Sequence, residues 1–164
     1  MLKNRNRRGF TLIELLVVIS IIGILATLGM TGFPAIIKMA KKSKAKSVIQ
    51  GLELAIKQYN NDFGIYPDDA SSKNVINALT GYNAFPDKPD PMYRNSPDWN
   101  GPYYTSEKKT FEGAELNGAL LDPWQTPYKF NLSDPQHNHY SFDIWSAGPN
   151  RKDDNGGGDD VRNW

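Results

Sequence analysis

A chain of 164 residues has room for one domain and an anchor. Lys and Arg number 19 against 18 Asp and Glu, so a net charge of +1 supplies no basic field of the kind that recruits nucleic acid. The absence of cysteine excludes disulfides, thiolate metal sites and a cysteine nucleophile, which leaves packing or a bound ion to stabilise the fold.

Four cations, Lys3, Arg5, Arg7 and Arg8, precede the first acid. Gly9-Phe10-Thr11-Leu12-Ile13-Glu14 follows and opens an apolar run through residues 15–30. A spanning helix needs about 20 mostly apolar residues. Residues 10–37 supply them, and Lys38, Lys41, Lys42, Lys44 and Lys46 end the stretch. The leader cations favour an N-terminus inside the cell, while the lysines beyond Ile37 weigh the other way. A carboxylate at bilayer depth costs about 2.5–3.5 kcal/mol on insertion scales. Glu14 is therefore expected to find a partner or to snorkel to the headgroups.

The pattern resembles the type III signal of type IV pilin-like proteins: a short basic leader, Gly-Phe, Thr-Leu-Ile-Glu, then an apolar helix. The resemblance implies that a prepilin peptidase removes residues 1–9 by cutting after Gly9 and methylates the new N-terminus at Phe10. It also implies that Glu14 pairs with the Phe10 amine of a neighbouring subunit and sets the register of assembly. A cleavable secretory signal or a plain uncleaved anchor shares the basic and apolar regions but explains neither Gly9-Phe10 nor Glu14.

Beyond the anchor, Phe33-Pro34 is expected to kink the helix without ending it. Val48, Leu52, Ala55, Ile56, Tyr59 and Phe63 recur at spacings of three and four, one apolar stripe. Asn60-Asn61-Asp62 and Gly64 stop the helix, so residues 10–61 form roughly 80 Å of helix. Phe63-Gly64-Ile65-Tyr66-Pro67 is a turn. Ser72 caps a short helix over 73–80 that turns Val75, Ile76 and Leu79 inward and ends at Gly81. Residues 82–102 hold five of the 11 prolines and read as an irregular loop. Its Tyr82, Phe85, Met92, Tyr93 and Trp99 either pack the loop down, the preferred reading, or form a partner surface. Tyr128, Phe130 and Leu132 alternate, as do Tyr140, Phe142 and Ile144, which predicts a small antiparallel sheet packed by one face on the helix.

Gly101-Pro102-Tyr103 and Asp122-Pro123-Trp124-Gln125-Thr126-Pro127-Tyr128 resemble segments of the type II secretion major pseudopilin family, where Gly-Asn stands in place of Gln125-Thr126. The end of the chain is similar too, with Asp143-Ile144-Trp145-Ser146-Ala147-Gly148 and a final Asn163-Trp164. The fold this implies is α+β and type IV pilin-like: a long N-terminal helix, transmembrane in its first half, packed on a small antiparallel sheet with a C-terminal calcium loop.

That loop spans Asn150 to a run of glycines and four aspartates, Asp153, Asp154, Asp159 and Asp160. Carboxylates, an amide and backbone carbonyls are the hard oxygen ligands calcium prefers. It is not an EF-hand: aligning Gly156 with that loop's glycine puts Arg151 and Arg162 at ligand positions. The residues alone leave a solvated acidic loop as the alternative. The family resemblance implies calcium, with Ala147 (through its carbonyl), Asn150, Asp153, Asp159 and Asp160 as ligands. Asn150 stands where the family often has aspartate, Asp153 or Asp154 can compensate for the lost charge, and the register among the four aspartates stays open. His137 and His139, two apart, are expected to be solvated rather than metal-bound.

The expected function is that of a structural subunit, not an enzyme. It polymerises with itself into the periplasmic pseudopilus of a type II secretion system and drives export of folded proteins. Its expected partners are minor pseudopilins, the inner-membrane assembly platform and the prepilin peptidase. Residues 38–164 lie in the periplasm on a single-pass inner-membrane anchor. The alternatives are a type IV or competence pilin, a membrane-anchored module that binds carbohydrate or cargo, and an anchored hydrolase using His137, His139 and the tail aspartates. No nucleophile elbow, zinc helix motif or phosphate loop supports the last.

Overall fold

The computed structural model describes residues 10–81, 96–105 and 119–164, with the side chains of residues 28–32 excepted. Two compact units divide the chain, Met1–Met39 and Ala40–Trp164. The leader, Gly9 and the loop residues Tyr82, Phe85, Met92 and Tyr93 lie outside the described residues.

Helix α1 (Leu12–Phe63) begins in the first unit and continues through Pro34, as expected. Its start is fixed locally. The backbone N–H and hydroxyl of Thr11 donate to Glu14 Oε2 at 2.8 and 2.7 Å, and the Glu14 N–H returns to Thr11 Oγ1 at 3.3 Å. This reciprocal capping box satisfies helix-terminal donors that have no partner within the helix. Further along, the Ser20 hydroxyl donates to the Leu16 carbonyl at 2.7 Å and that of Thr27 to the Ile24 carbonyl at 2.8 Å. Both hydroxyls are thus spent on the helix's own backbone, and the described side chains before residue 28 present a surface that is apolar apart from Thr11 and Glu14. Among the described residues no helix is long and apolar enough to cross a membrane. The apolar stretch whose side chains are described, residues 12–27, falls short of the about 20 residues a span requires.

In the second unit the α1 stripe is buried as its spacing predicted, with Leu52, Ala55, Ile56 and Tyr59 in the core and Val48 and Phe63 packed at its edge. Ala45 and Ile49, both 0 % exposed, extend it toward the N-terminus. The helix ends at Phe63, where Gly64 adopts φ +70° and donates to the Asn60 carbonyl at 2.8 Å.

Helix α2 (Ser72–Thr80) buries Val75, Ile76 and Leu79 as expected and ends at a left-handed Gly81. Its cap is Ser71, not Ser72: the Ser71 side chain accepts from the Asn74 N–H at 3.2 Å. Ser71 has the extended backbone that a capping residue needs.

Strands β1 (Lys129–Asn131), β2 (Asp143–Ser146) and β3 (Val161–Arg162) form an antiparallel sheet in that order. Phe130 pairs with Ile144, and Trp145 with Arg162. Tyr128 and Leu132 flank β1 in the core, and Phe142, just before β2, and Ile144 on it are buried. Tyr140 breaks the expected alternation and is fully exposed. The physical reason is the turn before β2. Asp143 is 1 % exposed, and its carboxylate accepts the backbone N–H groups of Gln136, His137 and Asn138 at 2.8–2.9 Å. That curls residues 136–141 away from strand geometry. Strand β3 is two residues long and carries no readable period.

Two more carboxylates fasten loops to this core. Asp69 Oδ2 accepts the N–H groups of Leu132 and Ser133 at 2.6 and 3.0 Å, closing the end of β1. Asp62, at the end of α1, accepts from the Tyr103 hydroxyl at 2.7 Å. Burial, reinforced by the Asp62 carboxylate, pushes the Tyr103 phenol up to about 12. The Tyr103 and Tyr104 N–H groups share the Leu79 carbonyl at the end of α2, so Gly101-Pro102-Tyr103 ties both helices together.

Candidate functional site

The acidic loop joins β2 to β3. Its base is built on Asp122, which is 2 % exposed. Asp122 Oδ1 accepts the N–H groups of Trp124 and Thr126, both at 2.9 Å, and Oδ2 accepts the hydroxyls of Thr126 at 2.6 Å and Ser146 at 2.5 Å. The Ser146 oxygen then accepts the Gly148 N–H at 3.2 Å. Asp122-Pro123-Trp124 is thus an Asx turn that positions the start of the loop. Gln125 takes φ +69°, a conformation glycine adopts without strain. Thr126 supplies the hydroxyl that grips Asp122.

The loop's two ends meet at Gly148. With φ +64°, a Cβ there would lie 2.5 Å from the Asp159 carbonyl oxygen, so no side chain fits. Asp154, Asp159 and Asp160 converge, each offering a carboxylate oxygen within 4.8 Å of the others. Asp160 is 7 % exposed, and its Oδ2 accepts from the Gly156 N–H at 2.9 Å and the Asp154 N–H at 3.2 Å. Asp159 Oδ2 accepts the Asn150 N–H at 3.1 Å, and Asp154 Oδ2 accepts the Asn150 side-chain amide at 3.3 Å. Asp159 Oδ1 and Asp160 Oδ1 are buried with no protein partner. Burial pushes the Asp160 carboxyl up, the Gly156 and Asp154 N–H groups oppose it, and the neighbouring Asp154 and Asp153 charges add to the rise. Unpaired buried carboxylate oxygens are costly, and three like charges at one point repel. Both features fit a hard divalent cation such as calcium.

Of the residues read from the sequence as ligands, Asn150, Asp159 and Asp160 come together. Ala147 is buried at the loop entry beside Gly148. Asp153 stands apart: its Oδ1 accepts from Trp145 Nε1 at 2.8 Å and its Oδ2 pairs with Lys129 at 3.5 Å. Asp154 takes the third place in the cluster.

The C-terminal pair secures the base of the loop. Asn163 exchanges hydrogen bonds with Ile144 and donates its side-chain amide to the Phe142 carbonyl at 3.0 Å. Trp164 stacks on the His137 ring at 4.2 Å. His137 Nδ1 also lies 3.3 Å from Asp143, so this histidine, though exposed like His139, is held by a ring and a carboxylate. Sequence reasoning missed Asp143, Asp122 and Asp69 as organising residues. Only Asp122 carried a local signal, an aspartate two residues before a turn.

At the other end of the chain, Phe10 is 79 % exposed and lines a shallow groove with Ile13, Glu14, Val17 and Val18. Glu14 is its sole charged group. The sequence signal for its capping role, Thr-x-x-Glu before an apolar run, was present and went unread.

A long N-terminal helix opening on Phe10 and Glu14, with a second unit of two helix segments and a three-stranded sheet, defines a pilin-like protein. The prokaryotic N-terminal methylation motif matches residues 4–30. The family model for type II secretion system protein G matches residues 35–164, and the chain belongs to that family. It is 31 % identical to the type II secretion system core protein G of Klebsiella pneumoniae over 98 % of this chain and 96 % of that one. It is 32 % identical to the core protein G of Escherichia coli strain K12, over 97 % and 92 %. The type IV major pilin protein PilE of Neisseria gonorrhoeae is 36 % identical, over 46 % of this chain and 45 % of its own. No solved structure matches the chain at a significant level.

Proposed function

We propose that this chain is the major pseudopilin subunit of a type II secretion system, polymerising into a periplasmic pseudopilus that drives export of folded proteins. The observation that carries the reading is the joint match: one chain holds the methylation motif and, directly after it, the protein G domain. The likeness to a type IV pilin covers less than half the chain, which ranks a pilin second.

In this reading the prepilin peptidase cuts after Gly9 and methylates Phe10. Residues 10–37 anchor the subunit in the inner membrane as a single span and later form the fibre core. Residues 38–164 face the periplasm, where the subunit meets its own copies, the minor pseudopilins and the inner-membrane assembly platform. The capping box supplies an economical route for Glu14. Its carboxylate is held by Thr11 in the lone subunit and accepts the Phe10 amine of a neighbour on assembly, so its charge is never left bare in lipid. The apolar groove around Glu14 suits a docked Phe10 ring.

Asp154, Asp159 and Asp160 are the carboxylates that would hold calcium, with the Asn150 side chain and loop carbonyls near Ala147 beside them. Bound there, calcium would neutralise three clustered charges and lock the two ends of the loop together. The chain's own contribution is the base below it, from Asp122 through Ser146 to Gly148 and the Asn163 clamp on β2.

Mass spectrometry of membrane-extracted protein tests the first step. The expected N-terminus is a methylated Phe10; one starting beyond Ala26 overturns the reading.

A further inference from the structure

Lys41, Lys42, Lys44 and Lys46 lie within two turns of α1 around Ala45, the first residue of that helix to enter the core of the second unit. All four are exposed. None has an ion-pair or hydrogen-bond partner among the described residues. The first acid on α1 after Glu14 is Glu53, which is engaged by Lys57 at 2.7 Å. Like charges three and four residues apart oppose helix formation. Among the described residues nothing answers these charges, which leaves the four cations open to an external anion.

We propose that these four lysines form a cationic collar that binds anionic phospholipid headgroups at the surface from which the domain emerges. The proposal rests on the anchor reading of residues 10–37. Lys41 follows the last anchor residue by four positions, about 6 Å of helix, and Lys46 by nine, about 14 Å. The headgroup region adds roughly 5–7 Å to each face of the hydrocarbon core. The nearer lysines reach that layer, and the farther ones stay within about one Debye length, roughly 8 Å, of it. Lysines on the translocated side run against the orientation rule for membrane proteins. A headgroup partner gives that departure a use. Each engaged lysine favours an anionic over a zwitterionic headgroup by up to about fivefold, equivalent to roughly 1 kcal/mol.

The test uses the full mature chain reconstituted in phosphatidylcholine vesicles containing a minor fraction of spin-labelled phosphatidylglycerol or, in parallel, spin-labelled phosphatidylcholine. Wild type should hold the anionic label in preference, and added salt should weaken the preference. Replacing all four lysines by glutamine should cut it sharply, with only Lys38 left at the anchor's edge, and replacing all four by arginine should retain it. Equal retention of both labels by wild type, or an undiminished preference in the glutamine variant, overturns the collar. If the glutamine variant keeps its lipid preference but no longer forms fibres, the lysines serve a second copy of the chain and the collar is likewise wrong. Flotation with the vesicles after alkaline washing separates the two readings. A chain that floats without lipid preference refutes the collar alone, while one that fails to float refutes the anchor and the collar together.

Discussion

Trp145 Nε1 donates to Asp153 Oδ1 at 2.8 Å, and this one bond takes Asp153 out of the acidic cluster and ties the loop to the sheet. Asp153 and Asp154 are neighbours in sequence with different work. Burial raises the Asp153 carboxyl, but the Trp145, Asn155 and Lys129 contacts outweigh it and leave the group below the usual range. Asp154 has no such anchor and faces Asp159 and Asp160.

Calcium should therefore raise the melting temperature of the full chain in detergent, and the two aspartates should respond differently. At a hundredfold excess over Kd, a ligand specific for the native state adds about 2.7 kcal/mol, which for a chain of this size is roughly 5–11 °C. Asp154→Asn and Asp160→Asn should remove most of the shift, whereas Asp153→Asn should lower the baseline and keep it. A shift unaffected by Asp154→Asn but lost in Asp153→Asn would reverse the assignment.

Acid should unfold the domain through its carboxylates. Burial raises the Asp143 carboxyl, but the Asn138, His137 and Gln136 N–H groups and the His137 ring outweigh it and hold it low. Asp69 is held low in the same way by Leu132 and Ser133. A depressed carboxyl contributes stability that is present above its unfolded pKa of about 4 and lost as the pH falls through the folded value. Stability should thus be level near neutrality and fall below about pH 4. Asp143→Asn should cost about 2–3 kcal/mol at pH 7 by weakening three N–H bonds, and should flatten the acid limb. Chemical denaturation across pH reads both effects.

The helices were legible because their signals are local and repeated. The stripe from Leu52 to Phe63 and the glycine stops at Gly64 and Gly81 fix them without reference to distant residues. The sheet was legible only in outline. Tyr140 satisfies the alternation as well as Phe142 does, and what excludes it is the Asp143 cage, a contact among loop residues that leaves no period. The ligand register failed to resolve for the same kind of reason. Whether Asp153 or Asp154 points into the cluster depends on Trp145 and Lys129, which lie on strands whose pairing the sequence does not state. The Glu14 cap was local, and its assembly role drew attention away from it.

Gln125 offers a test of the Asx turn. Its φ of +69° is strained for a side chain with a Cβ. Gln125→Gly should stabilise the domain by about 0.5–1 kcal/mol, and Gln125→Val, β-branched at the same position, should destabilise it by about 1 kcal/mol or more. Thermal melts of the two variants at equal calcium decide the matter. Equal melting temperatures would mean that the turn relaxes around any residue.

Glu14 has two roles that substitution can separate. Glu14→Gln keeps a side-chain oxygen for the Thr11 N–H and so retains most of the cap, yet it removes the negative charge that a neighbour's Phe10 amine would meet. Glu14→Leu removes both. Loss of the cap costs about 1 kcal/mol, too little to unseat a long apolar helix, so both variants should be inserted and processed normally. If assembly needs the charge, both should fail to form fibres, seen by shearing and electron microscopy. If it needs only an ordered helix start, Glu14→Gln should assemble and Glu14→Leu should not. Thr11→Val supplies the converse: it keeps the Glu14 charge and removes the hydroxyl half of the cap, and fibres should still form.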